Sequence, residues 1–331
     1  MSTRSHVLAA IDFSSGSINA LKWAKKWLLK DRDLILAHAL IIPEVHGLLA
    51  ERYPVSESLL VNARAGARHR LDDLRNSLGL PDAAIEIREG KPAEAIADIA
   101  RSTKAELIVV GKHGETGPLR GYAGRTADSL VRSAPAPIIV ANGALTSRPE
   151  RVIVALTYSS ITPHIVSWTK RIQAASGARI VVVHAIGSAV LSHVLSVSTV
   201  RTGEPPTSEE IDEIFSEDRD RWTRMLIEAG IPADCIDSEV IFGEVSTAVL
   251  GASAAHNADM IIMGSHAGPV RRLLLGSAAS AVVREAEIPV MVVVEPEQIS
   301  ERMSNGILTV HLSKAEDARA KERTIPISSG K

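Results

Sequence analysis

The chain has 331 residues, of which 45% are hydrophobic and 23% are charged, and its formal net charge is −2. This near-neutral balance gives no long-range attraction to nucleic acid or to an anionic membrane surface, so we expect neither kind of partner. The length is enough for two cores of ordinary size, and the single cysteine, Cys235, excludes an intramolecular disulfide.

The expected location follows from the same features. One unpaired cysteine fits a reducing compartment. Residues 1–4 lead directly into an apolar strand without the apolar core of a signal peptide, and no apolar stretch approaches the length of a membrane span. We therefore expect a cytoplasmic protein.

Apolar runs and helical patterns alternate along the first 141 residues. Strands that alternate with helices indicate a parallel sheet with right-handed crossovers. Ligands of such sheets lie beyond the carboxyl ends of the strands. We predict strands over 7–11, 34–42, 84–88, 107–110 and 137–141, with helices over 18–29, 55–80, 93–102 and 126–133 between them.

Several conspicuous side chains in this part of the chain have structural interpretations. Trp23 and Trp27 recur at helical spacing and are expected to pack against the sheet. His38, and His184 later in the chain, each lie in an apolar strand, which is typical of a hydrogen-bonded core histidine. The charged residues over 55–80 are expected to form a solvated helix face.

A glycine-rich loop follows the apolar run 107–110. Gly111 and Gly114 come directly after the strand, and Gly124 lies just before the next helix. Glycines in these places let backbone N–H groups approach an anion at the positive end of the helix, and a phosphate chain is the obvious ligand. A plain strand-to-helix connection is the commoner explanation of such a turn, and neither a Walker A loop nor G-x-G-x-x-G occurs.

The chain repeats itself with a period of about 150 residues, which indicates two copies of one domain. Residues 6–15 are matched by 151–160, and residues 107–114 by 260–267. We expect domains over 1–146 and 147–296, followed by a polar tail over 297–331. The tail is expected to be largely disordered, with a short strand pattern only at 307–311.

The repeated pattern resembles the universal stress proteins, in a tandem arrangement that covers about residues 4–296. ATP-binding members of that family carry an Asp at the end of the first strand and the spacing G-x2-G-x9-G-[ST] after the fourth. Asp12 matches the first feature, and the three glycines of the loop match the second. Arg125 departs from the pattern, because Ser or Thr is expected there, although Thr126 follows it.

The resemblance implies an α/β fold of two repeated, doubly wound parallel-sheet domains, Rossmann-like and similar to the adenine nucleotide alpha hydrolases. It also implies ATP as the ligand, with Mg²⁺ as an optional companion. The implied nucleotide site lies in the N-terminal copy and consists of Ala10, Asp12, Ala39, Val110, Gly111, His113, Gly114, Gly124, Arg125 and Thr126.

Two of these residues have alternative interpretations. Asp12 either caps the following helix through Ser14 and Ser15 or accepts hydrogen bonds from the ribose or the adenine. Arg125 is either a surface arginine at a loop end or a charge-assisted donor to a phosphate oxygen.

A weaker second site is expected in the C-terminal copy. Thr157 stands where Asp12 stands, Ala267 stands where Gly114 stands, and the loop is one residue shorter. Loop shortening moves the start of the helix relative to the end of the strand. The residues of this second site are Thr157, Ala185, Gly264, His266, Gly276 and Ser277.

We therefore predict a stress-response regulatory protein that binds ATP or a related adenine nucleotide, mainly in its N-terminal half. The alternative is a nucleotide-free tandem scaffold that acts through contacts with a protein partner, which the sequence does not identify. No metal site is expected, and catalysis is limited to slow ATP hydrolysis, because the sequence has no P-loop lysine and no Ser-His-Asp order. The last strands of the two copies are expected to pair within one chain as a pseudo-dimer, and a further homodimer stays open.

Overall fold

The computed structural model describes residues 6–28, 33–41, 57–112, 124–142, 148–187, 207–265, 277–295, 298–304 and 307–313. We call residues 6–142 the N-terminal half and residues 148–295 the C-terminal half. The predicted boundary at 146–147 falls in a segment outside the described residues and stays a prediction.

The N-terminal half alternates strands and helices, as the apolar runs predict. Most of its strands are buried on both faces, which explains why they read as continuous apolar segments, whereas Ala84–Glu89, at the edge of the sheet, alternates buried and more exposed residues. Its elements are β1 (His6–Ala10), α1 (Ser15–Trp27), β2 (Asp33–Leu40), α2 (Glu57–Ser77), β3 (Ala84–Glu89), α3 (Pro92–Ser102), β4 (Ala105–Gly111), α4 (Arg125–Ser133) and β5 (Ile138–Ala141).

The C-terminal half repeats this order. Its elements are β6 (Arg151–Ala155), α5 (Thr162–Ser176), β7 (Arg179–Ile186), α6 (Ser208–Glu228), β8 (Ile236–Phe242), α7 (Val245–Ala255), β9 (Met260–Gly264), α8 (Ser277–Glu285) and β10 (Val290–Val293).

All ten strands form one sheet in the order β3-β2-β1-β4-β5-β10-β9-β6-β7-β8. Neighbours within each half are parallel, and the two halves meet where β5 pairs antiparallel with β10. Ile139 faces Met291 at the centre of this junction, and these two residues hold the same position in their halves. The expected pairing of the last strands is therefore present, with the self-matching geometry of a twofold contact.

Helices cover both faces of the sheet, and the apolar core is continuous between the halves. On one face, α3, α4, α7 and α8 enclose a buried cluster that runs from Leu8 to Val292. On the other face, α1, α5 and α6 bury a second cluster that includes Trp23 and Trp222. Trp23 is 2% exposed, which confirms its interpretation as a packing residue.

The C-terminal tail contains two strands, one of which covers the strand expected at 307–311. Gln298–Ser304 forms β11 and Ile307–Ser313 forms β12, and the two strands pair antiparallel with Ile299 opposite Leu312. Residues 308–313 alternate apolar and polar side chains, and Asn305-Gly306, a strong hairpin signal, stands between the two strands in the sequence. Residues 314–331 lie outside the described part of the chain, so the expectation of a largely disordered tail stays a prediction.

None of the helices in the described ranges is long and apolar enough to cross a membrane.

Candidate functional site

The sheet order places the predicted site residues of the N-terminal half at the carboxyl ends of neighbouring strands. Strands β2, β1 and β4 are neighbours, and their carboxyl ends carry Ala39, Ala10 and Val110. Asp12 lies two residues beyond β1, and Gly111 is the last residue of β4. These five residues therefore lie at the carboxyl ends of neighbouring parallel strands, the side of such sheets where ligands bind.

The loop after β4 is closed at its base. The N–H of Gly124 donates to the carbonyl of Lys112 at 2.7 Å, and the N–H of Lys112 donates to the carbonyl of Ala141 at 2.8 Å. His113 and Gly114 lie outside the described residues, as do His266 and Gly276 of the second copy. The start of α4 is thus held beside the end of β4.

Among the described residues, the start of α4 has no side-chain cap. Gly124 occupies the N-cap position and has no side chain that accepts a hydrogen bond from the first turn. Arg125 begins the helix and Thr126 follows it, half-buried; Ser277 begins α8 at the corresponding place in the second half. Unpaired N–H groups and the helix dipole make such a terminus favourable for an anion.

Gly111 has a packing role that the loop pattern alone does not reveal. A Cβ atom at this position would lie 2.7 Å from the backbone carbon of Gly16 and 2.7 Å from the backbone nitrogen of Ser17. The missing side chain therefore lets the end of β4 approach the start of α1. At Gly264, a Cβ atom would instead meet side-chain methyl groups of Ile161 and Ile165, both at 3.0 Å.

Asp12 supports the start of α1. Its Oδ1 accepts hydrogen bonds from the backbone N–H of Ser14 at 2.9 Å and from the Ser14 hydroxyl at 2.6 Å. Ser14 is the N-cap and accepts the N–H of Ser17 at 3.1 Å. The helix-cap interpretation is therefore confirmed, and the carboxylate remains exposed at the strand-end edge.

His38 and His184 make the same contact in the two halves. The Nδ1 of His38 lies 2.6 Å from the carbonyl oxygen of Ile11, and the Nδ1 of His184 lies 2.8 Å from that of Leu156. Each bond joins the second strand of its half to the residue that follows the first strand. The prediction of hydrogen-bonded structural histidines is confirmed.

An aromatic side chain follows the first strand in each half, and an arginine lies over it. Phe13 has a φ of 66° and its ring lies 4.9 Å from that of His38, while the Cζ of Arg70 is 3.8 Å from the Phe13 ring centroid. In the C-terminal half, the Cζ of Arg221 lies 5.0 Å from the ring centroid of Tyr158. These stacks were not predicted, because each joins residues that are far apart in the sequence.

The C-terminal half also contains a pocket of about 890 Å³ at the carboxyl ends of β6 and β7, walled by α6. Its lining includes Thr157 and Ala185 of the predicted second site. Asp218 accepts a hydrogen bond from the Tyr158 hydroxyl and another from the Nε1–H of Trp222 at 3.1 Å. Burial and the bond to Asp218 raise the pKa of Tyr158 to about 12.

Lys112 is another group that the sequence did not single out. It is 5% exposed, and its Nζ donates to the carbonyl of Ala286 in the other half at 2.6 Å. Burial lowers the pKa of Lys112, and the nearby Glu287 carboxylate offsets this in part. The ammonium group thus faces the junction between the halves, although Lys112 directly follows Gly111 in the candidate loop.

The described part of the chain holds no group of three or more His, Cys, Asp and Glu side chains placed to bind a metal ion.

Comparisons with known proteins agree with the repeat. The sequence model of the universal stress protein family matches residues 3–142 and again 149–294. A universal stress protein of Mycolicibacterium smegmatis is 26% identical over 304 residues, which are 87% of this chain and 96% of that protein. One from Methanocaldococcus jannaschii is 40% identical over 55 residues, 17% of this chain and 32% of that protein.

A solved structure resembles the whole arrangement. A universal stress protein from Archaeoglobus fulgidus has a TM-score of 0.63 at 17% identity, covering 87% of this chain and 98% of its own. At this identity the likeness concerns the fold.

Proposed function

Because the chain belongs to the universal stress protein family, we propose that it is a stress-response regulatory protein that binds ATP or a related adenine nucleotide in its N-terminal half. One observation carries the proposal. The carboxyl ends of β2, β1 and β4 meet beside a loop whose two ends are hydrogen-bonded to each other, from Gly124 to Lys112.

The phosphate end of the nucleotide is assigned to the loop and to the start of α4. Gly124 leaves the first-turn N–H groups of this helix without a side-chain cap, so they are available to phosphate oxygens. We propose that Gly114 lets the loop backbone come close to the phosphates and that Arg125 adds a charge-assisted bond. Mg²⁺, where it is present, would bind together with the phosphates.

The nucleoside end is assigned to the ends of β1 and β2. Oδ1 of Asp12 is engaged by Ser14, and among the described residues Oδ2 has no hydrogen-bond donor, so it is available to a ribose hydroxyl or to an adenine amino group. The backbone of Ala10, Ala39 and Val110 lines the same edge. Asp12 would then serve the helix cap and the ligand at once.

The nucleotide-free scaffold is the second candidate, and a specific observation favours it. Packing against Gly16 and Ser17 accounts for Gly111, and the cap of α1 accounts for Asp12, so neither residue requires a nucleotide. On this alternative, the paired halves present a surface to a protein partner.

Calorimetric titration of the intact chain with ATP separates the two candidates. We expect one strong site per chain and a loss of tenfold or more in affinity for Asp12→Asn, since a charge-assisted bond contributes roughly 1.5–3 kcal/mol. Asn retains an acceptor for Ser14, so the variant removes the charge and keeps the cap.

Asp82→Asn is the matched control. Asp82 is exposed and precedes β3, so it lies at the amino ends of the strands, away from the proposed site at their carboxyl ends. Two equal sites, or one site that is indifferent to Asp12→Asn, would contradict the assignment to the N-terminal half. Absence of binding, together with no small molecule released from the denatured protein, would favour the scaffold.

A further inference from the structure

The pocket against α6 has a chemistry of its own, and we propose that it binds a small aromatic carboxylic acid. Its volume of about 890 Å³ lies within the range of small-molecule sites, and it opens at the carboxyl ends of β6 and β7. The proposal does not depend on nucleotide binding in the N-terminal half.

A fixed aromatic surface forms one side of the pocket. The ring of Tyr158 lies 4.6 Å from that of Trp222 and 5.4 Å from that of His184. Asp218 holds both Tyr158 and Trp222 by hydrogen bonds, so its carboxylate is engaged within the protein. Tyr158 is nevertheless 53% exposed, which leaves an oriented aromatic ring facing the pocket.

Apolar side chains also line the pocket. Ile214 is 49% exposed, and Phe215 packs against Phe242 with ring centroids 4.7 Å apart. Ala185 and Ile186 contribute the end of β7. Aromatic pairs prefer offset or edge-to-face contacts, so a flat ring placed against these side chains would bury apolar surface that is now exposed to water.

Two arginines give the pocket an anion-binding side. Arg221 and Arg224 both line it and are three residues apart on α6, so they lie on one helix face. Glu217 and Asp220 precede them by four residues, yet in the described part of the chain neither arginine has a carboxylate within ion-pair distance. Because Arg221 lies over the Tyr158 ring, Arg224 is the guanidinium available to a carboxylate of the ligand.

The N-terminal half lacks this combination. Helices α2 and α6 both have 21 residues, and aligning their first residues places Arg70 opposite Arg221 and Asp73 opposite Arg224. A second arginine in one half thus corresponds to an acid in the other. Thr157 also replaces Asp12 at the strand end, which removes a negative charge from the mouth of the pocket. The same alignment places Glu217, Asp218 and Asp220, which also line the pocket, opposite Gly66, Ala67 and His69, so the preference for an anion rests on the position of Arg224 and not on the overall charge of the wall.

The test is a calorimetric titration of the full chain with naphthalene-2-carboxylate and with naphthalene-2-carboxamide, which has the same ring and no charge. We expect the acid to bind at one site and the amide to bind at least tenfold more weakly. Arg224→Gln should weaken the acid at least tenfold and leave the amide unchanged. Arg219→Gln removes the same charge from a position of α6 that does not line the pocket, and should change neither affinity.

Saturating ATP separates this site from the proposed nucleotide site. We expect ATP, and likewise Asp12→Asn, to leave the affinity for the acid unchanged. Equal binding of acid and amide, an unchanged affinity in Arg224→Gln, or displacement of the acid by ATP would each overturn the proposal. Failure of ATP to bind at all would concern only the nucleotide site.

Discussion

Gly111 and Gly264 hold the same position in the two halves, at the ends of β4 and β9, but their neighbours differ. A side chain at Gly111 would collide with backbone atoms of α1, whereas one at Gly264 would meet the methyl groups of two isoleucines, which can move. We expect Gly111→Ala to lower the free energy of unfolding by about 1–3 kcal/mol, the range of overpacked sites. Gly264→Ala should lower it less.

Urea denaturation of both variants measures this difference, since their midpoints can be compared at equal slope. Equal losses in the two variants would contradict the assigned role of Gly111. The stability of these variants is also relevant to the candidate site. Gly111 contacts Gly16, which lies two residues after Ser14, the hydrogen-bond partner of Asp12.

The ionisation of Tyr158 should make the free energy of unfolding depend on pH. Its pKa is raised to about 12 from an ordinary value of 10.0, so between these pH values the unfolded chain loses the proton before the folded chain does. The folded state then binds more protons, and the free energy of unfolding falls as the pH rises through this window. Because Tyr158 is about half exposed, we expect a shallow slope, which Tyr158→Phe should remove.

Absorbance of the tyrosinate ion follows the ionisation directly. The chain has three tyrosines, and we expect Tyr158 to ionise at about pH 12. Asp218→Asn should lower its pKa, since the carboxylate raises it, whereas Asp220→Asn serves as a control from the same pocket wall. Ionisation of Tyr158 at its ordinary value in the unmodified chain would contradict the hydrogen bond.

At the scale of elements, the start of α1 depends on one short polar network. Ser14 accepts the N–H of Ser17 and donates its hydroxyl to Asp12. Ser14→Ala should lower the free energy of unfolding by roughly 0.5–2 kcal/mol, because the helix loses its cap. Ser15→Ala, at an exposed first-turn position, should change it little. Thermal unfolding of the Ser14→Ala and Ser15→Ala variants measures this difference. Equal midpoint temperatures in the two variants would argue against the cap.

Most elements could be predicted because long apolar runs specify strands that are buried on both faces. Boundaries were less accurate: α1 was predicted from residue 18 but begins at Ser15, since the cap lies further back in the chain. Strand β11 was not predicted, because its apolar residues are limited to Ile299 and Met303, whereas β12 covers the strand predicted at 307–311.

The two candidate sites also differ in how far the sequence could predict them. Convergence of Asp12, Ala39 and Gly111 follows from topology, and topology follows from the pattern of strands and helices. The aromatic pocket has no short motif, because Tyr158, His184 and Asp218 come from three separate segments. Only tertiary packing brings them together.

On the scale of the whole molecule, the junction between the halves is more than a strand pair. Helices α4 and α8 pack against each other over β5 and β10, and the core beneath them contains residues of both halves. Two side chains, Lys112 and Asn142, both donate to the carbonyl of Ala286, at 2.6 and 3.3 Å. The first residue after β4, at the start of the candidate phosphate loop, is therefore hydrogen-bonded directly to the opposite half.

Lys112→Met tests what this tie contributes. Burial lowers the pKa of Lys112 below its ordinary value of 10.5, so between the folded pKa and 10.5 the unfolded chain binds more protons. The free energy of unfolding of the unmodified chain should therefore rise with pH across that window. Methionine keeps the apolar stem and removes the charge, so the rise should disappear.

Near neutral pH we expect Lys112→Met to be more stable by about 1 kcal/mol, because an apolar side chain replaces a buried charge while Asn142 still donates to Ala286. Lys91→Met, at an exposed position, is the control for the loss of one charge. Urea denaturation at several pH values gives the stability, and the same pH slope in the variant and the unmodified chain would contradict the burial argument. ATP affinity should change less than twofold, because the ammonium group is engaged by the carbonyl of Ala286 in the opposite half. A tenfold loss would instead identify Lys112 as a phosphate ligand.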